Sequence, residues 1–141
     1  MKCAGFLSFD HHVETYCLSP SPVVLCVDDD KLGLLARGYM LRSFGYCTVL
    51  MSNPELVCNY DLRQYQLAIV DLEMPGCNGI ELLRRIRAGG GTMPAILLTG
   101  ALDSVAPSDV ACFDDALSKS EPIYKLRSAL SSLLAKRDVQ N

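Results

Sequence analysis

The chain has 141 residues, half of them hydrophobic and 21% charged, with a formal net charge of −3. That composition fits one ordinary domain with a full core and excludes wholesale disorder. The negative balance argues against nucleic acid as a partner. No run reaches the ~20 apolar residues needed to span a bilayer, so a cytoplasmic protein with no membrane partner is expected.

Residues 1–22 show no sustained period and end in the breaker cluster Ser19-Pro20-Ser21-Pro22, which reads as an N-terminal arm or linker without fixed structure. His11, His12 and Glu14 could in principle bind a metal, but a solvated tail is the simpler reading. From Val23 a regular pattern begins and runs to residue 137, with 138–141 left as a tail. Val23-Val24-Leu25-Cys26-Val27 is a continuous apolar run of the kind buried on both faces of a sheet, and it stops at Asp28-Asp29-Asp30. Lys31 to Phe44 carries Leu34, Leu35, Leu41 and Phe44 at helical spacing, with Gly45 as the stop. Cys47 to Met51 reads as a second strand. Asn53-Pro54-Glu55 opens a short helix that runs to about Tyr60.

Leu67-Ala68-Ile69-Val70 is a third strand ending at Asp71. After the loop Glu73-Met74-Pro75-Gly76-Cys77, Asn78 and Glu81 have the spacing of a capping box. The helix that follows sets Gly79, Leu82, Leu83 and Ile86 against a solvated face of Glu81, Arg84, Arg85 and Arg87. Ala95 to Leu98 is a fourth strand, ending at Thr99-Gly100. Asp103 to Cys112 has weak helical character around Pro107. Ala116-Leu117-Ser118 is a fifth strand that ends at Lys119. The final helix carries a stripe of Ile123, Leu126, Leu130, Leu133 and Leu134.

The seven cysteines are odd in number and include no C-x-x-C spacing. No disulfide framework is expected. Cys26 and Cys47, inside apolar runs, read as small hydrophobes in a reducing cytosol. Cys77 is expected beside the site, open to solvent, with no redox role.

Strands and helices alternate five times, which predicts an α/β fold: a doubly wound (βα)5 parallel sheet with helices on both faces. In such sheets ligands bind beyond the carboxyl ends of the strands. Those ends are Asp28 and Asp29, Asp71, Thr99 and Lys119. Three carboxylates brought together need a cation, and hard oxygen ligands suit magnesium, with manganese as a substitute. A lysine and a hydroxyl at the same rim are donors for phosphoryl oxygens, and a carboxylate can accept a phosphoryl group.

These segments (Val27-Asp28-Asp29-Asp30, Val70-Asp71-Leu72-Glu73-Met74-Pro75-Gly76, Leu98-Thr99-Gly100 and Ser118-Lys119) resemble the receiver domain of two-component response regulators, the CheY-like family. The resemblance covers about Val23 to Lys136, and its most specific part is the D-x-x-M-P-G written by Asp71 to Gly76. It implies a flavodoxin/CheY-like five-stranded parallel sheet of order 2-1-3-4-5 and a role in phosphorelay signal transduction. Asp71 would accept a phosphoryl group from a phosphohistidine on a sensor histidine kinase or a histidine phosphotransfer protein. Asp28, Asp29, Asp71 and the backbone carbonyl of Glu73 would hold magnesium. Thr99 and Lys119 would bind the phosphate, the domain would catalyse its own dephosphorylation, and an unknown downstream protein would read the altered surface. The chain ends with the last helix, which is expected of a stand-alone regulator or of a cut piece.

Two positions depart from the family pattern. Ser120 follows the lysine where the family has proline, and is expected to cap the last helix. Ala116 stands where the family often has an aromatic switch residue, so coupling between Thr99 and such a ring is not expected. Two other readings compete. One is a receiver-like interaction module working without phosphate. The other is a haloacid-dehalogenase-type phosphatase, with Asp28 as nucleophile, Asp30 as acid, Thr99 as second motif and Asp114-Asp115 as the acidic pair; it leaves Asp71 and the Met-Pro-Gly loop unexplained.

Overall fold

The structure, a computed structural model, describes residues 13–17 and 21–140. Five parallel strands form its centre: β2 (Val23–Val27), β3 (Cys47–Met51), β4 (Leu67–Asp71), β5 (Ala95–Thr99) and β6 (Asp115–Ser118). Their order across the sheet is β3-β2-β4-β5-β6, the expected 2-1-3-4-5 order. A sixth strand, β1 (Val13–Tyr16), was not foreseen. It pairs antiparallel with β3, Val13 opposite Met51 and Tyr16 opposite Thr48. Part of the segment read as an unstructured arm therefore covers the edge of the sheet. Covering that edge satisfies backbone groups that would otherwise face water, and all five residues of β3 are buried.

Period-two alternation along the strands builds two cores. Leu25, Val27, Ala68, Val70 and Leu97 face one way, toward Leu82 and Ile86 of α2 (Gly79–Ala88). Val24, Cys26, Ile69 and Ile96 face the other, against α1 (Lys31–Ser43) and α4 (Ile123–Gln140). The last helix buries Leu126, Leu130 and Leu134, but Ile123 at its start is exposed, and the helix continues to Gln140, into the residues read as a tail.

Local chemistry sets the ends of the elements. Asp30 caps α1 by accepting from Gly33 N at 3.3 Å. Asn78 caps α2 by accepting from Glu81 N at 2.9 Å. The Glu81 carboxylate turns to Arg85 at 3.0 Å instead of completing a capping box. The stretch opened by Asn53 is a 3-10 helix, Pro54–Asn59, and not an α-helix. Pro107 does not break a helix but opens one, the single turn α3 (Pro107–Val110), because the first helical position needs no N–H donor.

Cysteine pairing differs from expectation at one place. Extending the β1–β3 register by one step sets Cys17 opposite Cys47, and the two form a disulfide. No spacing rule exposes this pair, because it depends on a strand that lacks an apolar period of its own. The bond closes a loop with a sequence separation of 30 residues, a constraint worth about 2–4 kcal/mol. A mild reductant is therefore expected to lower the thermal midpoint and to speed amide exchange in β1. Cys17→Ser should abolish the response to reductant, and an unchanged midpoint on reduction would count against the latch.

Candidate functional site

The carboxyl ends of the central strands meet at one rim. Asp28 follows β2, is fully buried, and donates its own N–H to Met51 O at 3.2 Å. Its Oδ1 accepts from Asp30 N at 3.0 Å. Asp71 ends β4 and is 6% exposed. Asp29 stands at the open side of the pocket. One oxygen from each of these three acids lies within 4.8 Å of the others. Lys119 follows β6, where its N–H donates to Thr99 O at 2.9 Å and so locks the β6 end to the β5 end. Its ammonium bridges Asp28 Oδ2 at 2.9 Å and Asp71 Oδ1 at 3.2 Å. Thr99 is buried at the end of β5, and its hydroxyl oxygen accepts from Ala101 N at 3.2 Å. Glu73 lies exposed in the loop two residues beyond Asp71.

The two buried acids titrate jointly and divide their burden unequally. For Asp28, burial pushes the carboxyl up, but the Asp30 N–H, Lys119 and Arg37 together outweigh it and hold the group below its usual range. For Asp71, burial dominates, the charge of Asp28 adds to it, and the carboxyl is pushed up to about 6. Lys119 loses solvation, yet contact with Asp28 and then Asp71 holds its ammonium above the usual lysine value. The donor set of hard carboxylate oxygens, two of them buried, suits magnesium better than a softer metal.

The loop after Asp71 is shaped by two glycines. Gly76 takes a φ of +79°, which a side chain would strain. Gly79 begins α2 against the backbone of Asp71, where a Cβ would fall on the Asp71 carbonyl oxygen. Cys77 is buried beside this loop, contrary to expectation, and burial pushes its thiol up. Ser120 does not cap α4: its hydroxyl lies 2.8 Å from that of Ser118, and the loop is closed by Glu121 accepting from Ser118 N at 3.0 Å. Ala116 is partly buried and packs on the core without occupying the place of a ring.

The pattern of a phosphatase acidic pair does not assemble. Asp114 Oδ2 accepts from Ala95 N at 2.8 Å, at the amino end of β5, and Asp115 begins β6. Both stand at the opposite end of the sheet from Asp28. Asp30 is occupied as the cap of α1. Of the tail residues, Glu14 lies in β1 and accepts from Tyr16 Oη at 3.1 Å, whereas His11 and His12 lie outside the described residues. The Arg-rich face of α2 is partly as expected. Arg85 pairs with Glu55 and Glu81, but Arg87 donates to Met93 O at 2.6 Å and so ties the helix to the loop before β5.

One participant escaped the sequence reading. Arg37 of α1 donates from Nη1 to Asp28 Oδ2 at 3.3 Å. The signal was present: Arg37 interrupts an inward stripe bounded by buried Leu34 and Leu41. Helical side chains lean toward the amino end of their helix, which carries this one back toward the acids that precede α1.

Comparison with known proteins bears on the fold and the family. The family model described as "Response regulator receiver domain" matches residues 24–131. The transcriptional regulatory protein RprY of Bacteroides fragilis is 36% identical over 55% of this chain and 33% of its own length. BasR of Escherichia coli, also a transcriptional regulatory protein, is 29% identical over 83% of this chain and 54% of its own length. The chain thus spans about a third to a half of these relatives. Among solved structures, the response regulator TrrA of Thermotoga maritima, in complex with Mg(2+)-BeF, superposes with a TM-score of 0.73 at 26% identity, covering 79% of this chain and 98% of that one. No helix among the described residues is long and apolar enough to cross a membrane. The fold, the strand-end residues and the family match lead to one conclusion: this chain belongs to the response regulator receiver domains of two-component systems, the CheY-like family.

Proposed function

We propose that this receiver accepts a phosphoryl group on Asp71 from a phosphohistidine of a sensor histidine kinase or a histidine phosphotransfer protein, in a magnesium-dependent reaction. The observation that carries the reading is Lys119. Its ammonium bridges Asp28 and Asp71 at the point where three carboxylates converge. A carboxylate oxygen of Asp71 forms the new bond to phosphorus as the bond from phosphorus to the donor imidazole nitrogen breaks, and that nitrogen keeps the electron pair. Lys119 meets the phosphoryl oxygens, and Thr99, one strand over, donates its hydroxyl to them. Asp28, Asp29, Asp71 and the Glu73 carbonyl would hold the magnesium. When bound, the metal neutralises the negative charge of carboxylates and phosphoryl oxygens. Water attack at phosphorus would later return Asp71 to its free form.

The signal would leave through an altered surface read by a downstream protein partner. It would not pass through a ring at position 116. Incubation with magnesium and acetyl phosphate, followed by intact mass, tests the reading. One added phosphoryl group is expected, and it should be absent from Asp71→Asn. If saturating donor adds no mass, the chain works as an interaction module without phosphate. If Asp28→Asn alone removes the added mass, Asp28 is the nucleophile.

A further inference from the structure

Arg37 is a charged group in an otherwise apolar helix stripe, and its side chain is 12% exposed. Taking a guanidinium out of water at such a place is costly unless a partner compensates. Its carboxylate partner is a single oxygen, Asp28 Oδ2 at 3.3 Å, the oxygen that also receives Lys119 at 2.9 Å. Lys119 is therefore divided between two acids, whereas among the described residues Arg37 pairs with Asp28 alone. The other oxygen of Asp28 is held by the Asp30 N–H.

We infer that Arg37 is a positioning residue for phosphoryl acceptance: it keeps Asp28 fixed and paired while Lys119 turns from Asp28 to the phosphoryl oxygens on Asp71. This rests on Asp71 being the acceptor. The same contact has a second effect, of opposite sign. Arg37 places a positive charge on a carboxylate that would hold the metal, so it opposes a divalent cation in the metal-bound resting site. With Arg37 present, three carboxylates face two protein cations before any metal arrives. Without it, the pocket is one charge more negative, would hold magnesium more tightly, and keeps no protein cation on Asp28 once Lys119 departs.

The test uses Arg37→Met, which keeps the aliphatic stem, and Arg37→Lys, which keeps the charge. Magnesium binding is read by calorimetry on the phosphate-free protein, and phosphoryl uptake by intact mass at saturating magnesium. Arg37→Met is expected to bind magnesium about tenfold more tightly and to take up the phosphoryl group about tenfold more slowly. Arg37→Lys should return metal affinity to near the wild-type value and restore part of the rate. A purely structural role would weaken both properties together, and an idle arginine would leave both unchanged; either result overturns the inference. Failure of the wild type to take up phosphate would instead overturn the acceptor reading of Asp71, and with it the positioning step.

Discussion

Asp71→Asn is expected to abolish phosphoryl uptake and, at the same time, to stabilise the metal-free protein at neutral pH by about 1–2 kcal/mol, or roughly 3–8 °C in thermal midpoint. Burial first, and the charge of Asp28 second, push the Asp71 carboxyl up to about 6 from an ordinary 3.8. The folded state therefore holds this proton more tightly than the unfolded chain does. Between about pH 4 and about pH 6 the unfolded chain loses its proton first, so the contribution of Asp71 to stability falls as pH rises through that window. Above it the penalty is fully present. A rise of this size is worth up to ~3 kcal/mol between the two protonation states. The attraction of Lys119, 3.2 Å away, is already contained in that value, and water at the open rim reduces it further.

Asparagine carries no such penalty, so its advantage should shrink toward zero near pH 4. Asp28 has the opposite sign. Its carboxyl is held low, its contribution is present above the unfolded value and is lost as pH falls, and Asp28→Asn should destabilise at neutral pH. Thermal melts of both variants over this range are the measurement. An Asp71→Asn protein less stable than wild type at neutral pH, or equally improved at both ends of the range, would falsify the electrostatic account.

Gly79→Ala is the second large effect. A methyl at Gly79 would fall on the carbonyl oxygen of Asp71 and lie 3.1 Å from Val70 Cγ1. The Asp71 atom is backbone at the end of a central strand, and it cannot step aside without moving the acceptor. The Gly79 N–H also donates to Leu72 O at 2.8 Å, so the start of α2 is tied to the same loop. Overpacking of this kind costs about 1–3 kcal/mol. Here it should also slow phosphoryl uptake by about tenfold, because a small displacement of a reacting group is expensive in rate. Gly33→Ala is the control. Its methyl would meet the flexible carboxylate of Asp30 at 2.7 Å. It should lower stability with little change in uptake rate. Equal rate losses in the two variants would show that Gly79 has no special hold on Asp71.

What the sequence made legible follows from the physics of each element. The five parallel strands were readable because strands buried on both faces must be apolar throughout, and their ends were marked by residues that cannot remain in such a run. Asp28, Asp71, Thr99 and Lys119 all stand at those boundaries. Strand β1 was not readable, since Val13-Glu14-Thr15-Tyr16 has only one fully buried residue and takes its place from the backbone groups of β3. The Cys17–Cys47 bond was hidden for the same reason. Cys77 was misjudged because a loop rich in proline and glycine predicts exposure, whereas this loop buries its thiol in the core. Arg37 was missed because reading for apolar period treats a charged residue on the stripe as noise, when here it marks the pocket.

The added strand has a consequence for assembly. With β1 seated on β3, the two borders of the described sheet are β1, which pairs only with β3, and β6, which pairs only with β5. A fibre built by strand addition needs two free borders on every copy, one to receive and one to offer. Here the border on the β3 side is a four-residue strand with one buried residue, in place of the five buried residues of β3. A short edge strand is a poor template for a further chain, and release of β1 by reduction would bare the longer and fully buried β3 as the border.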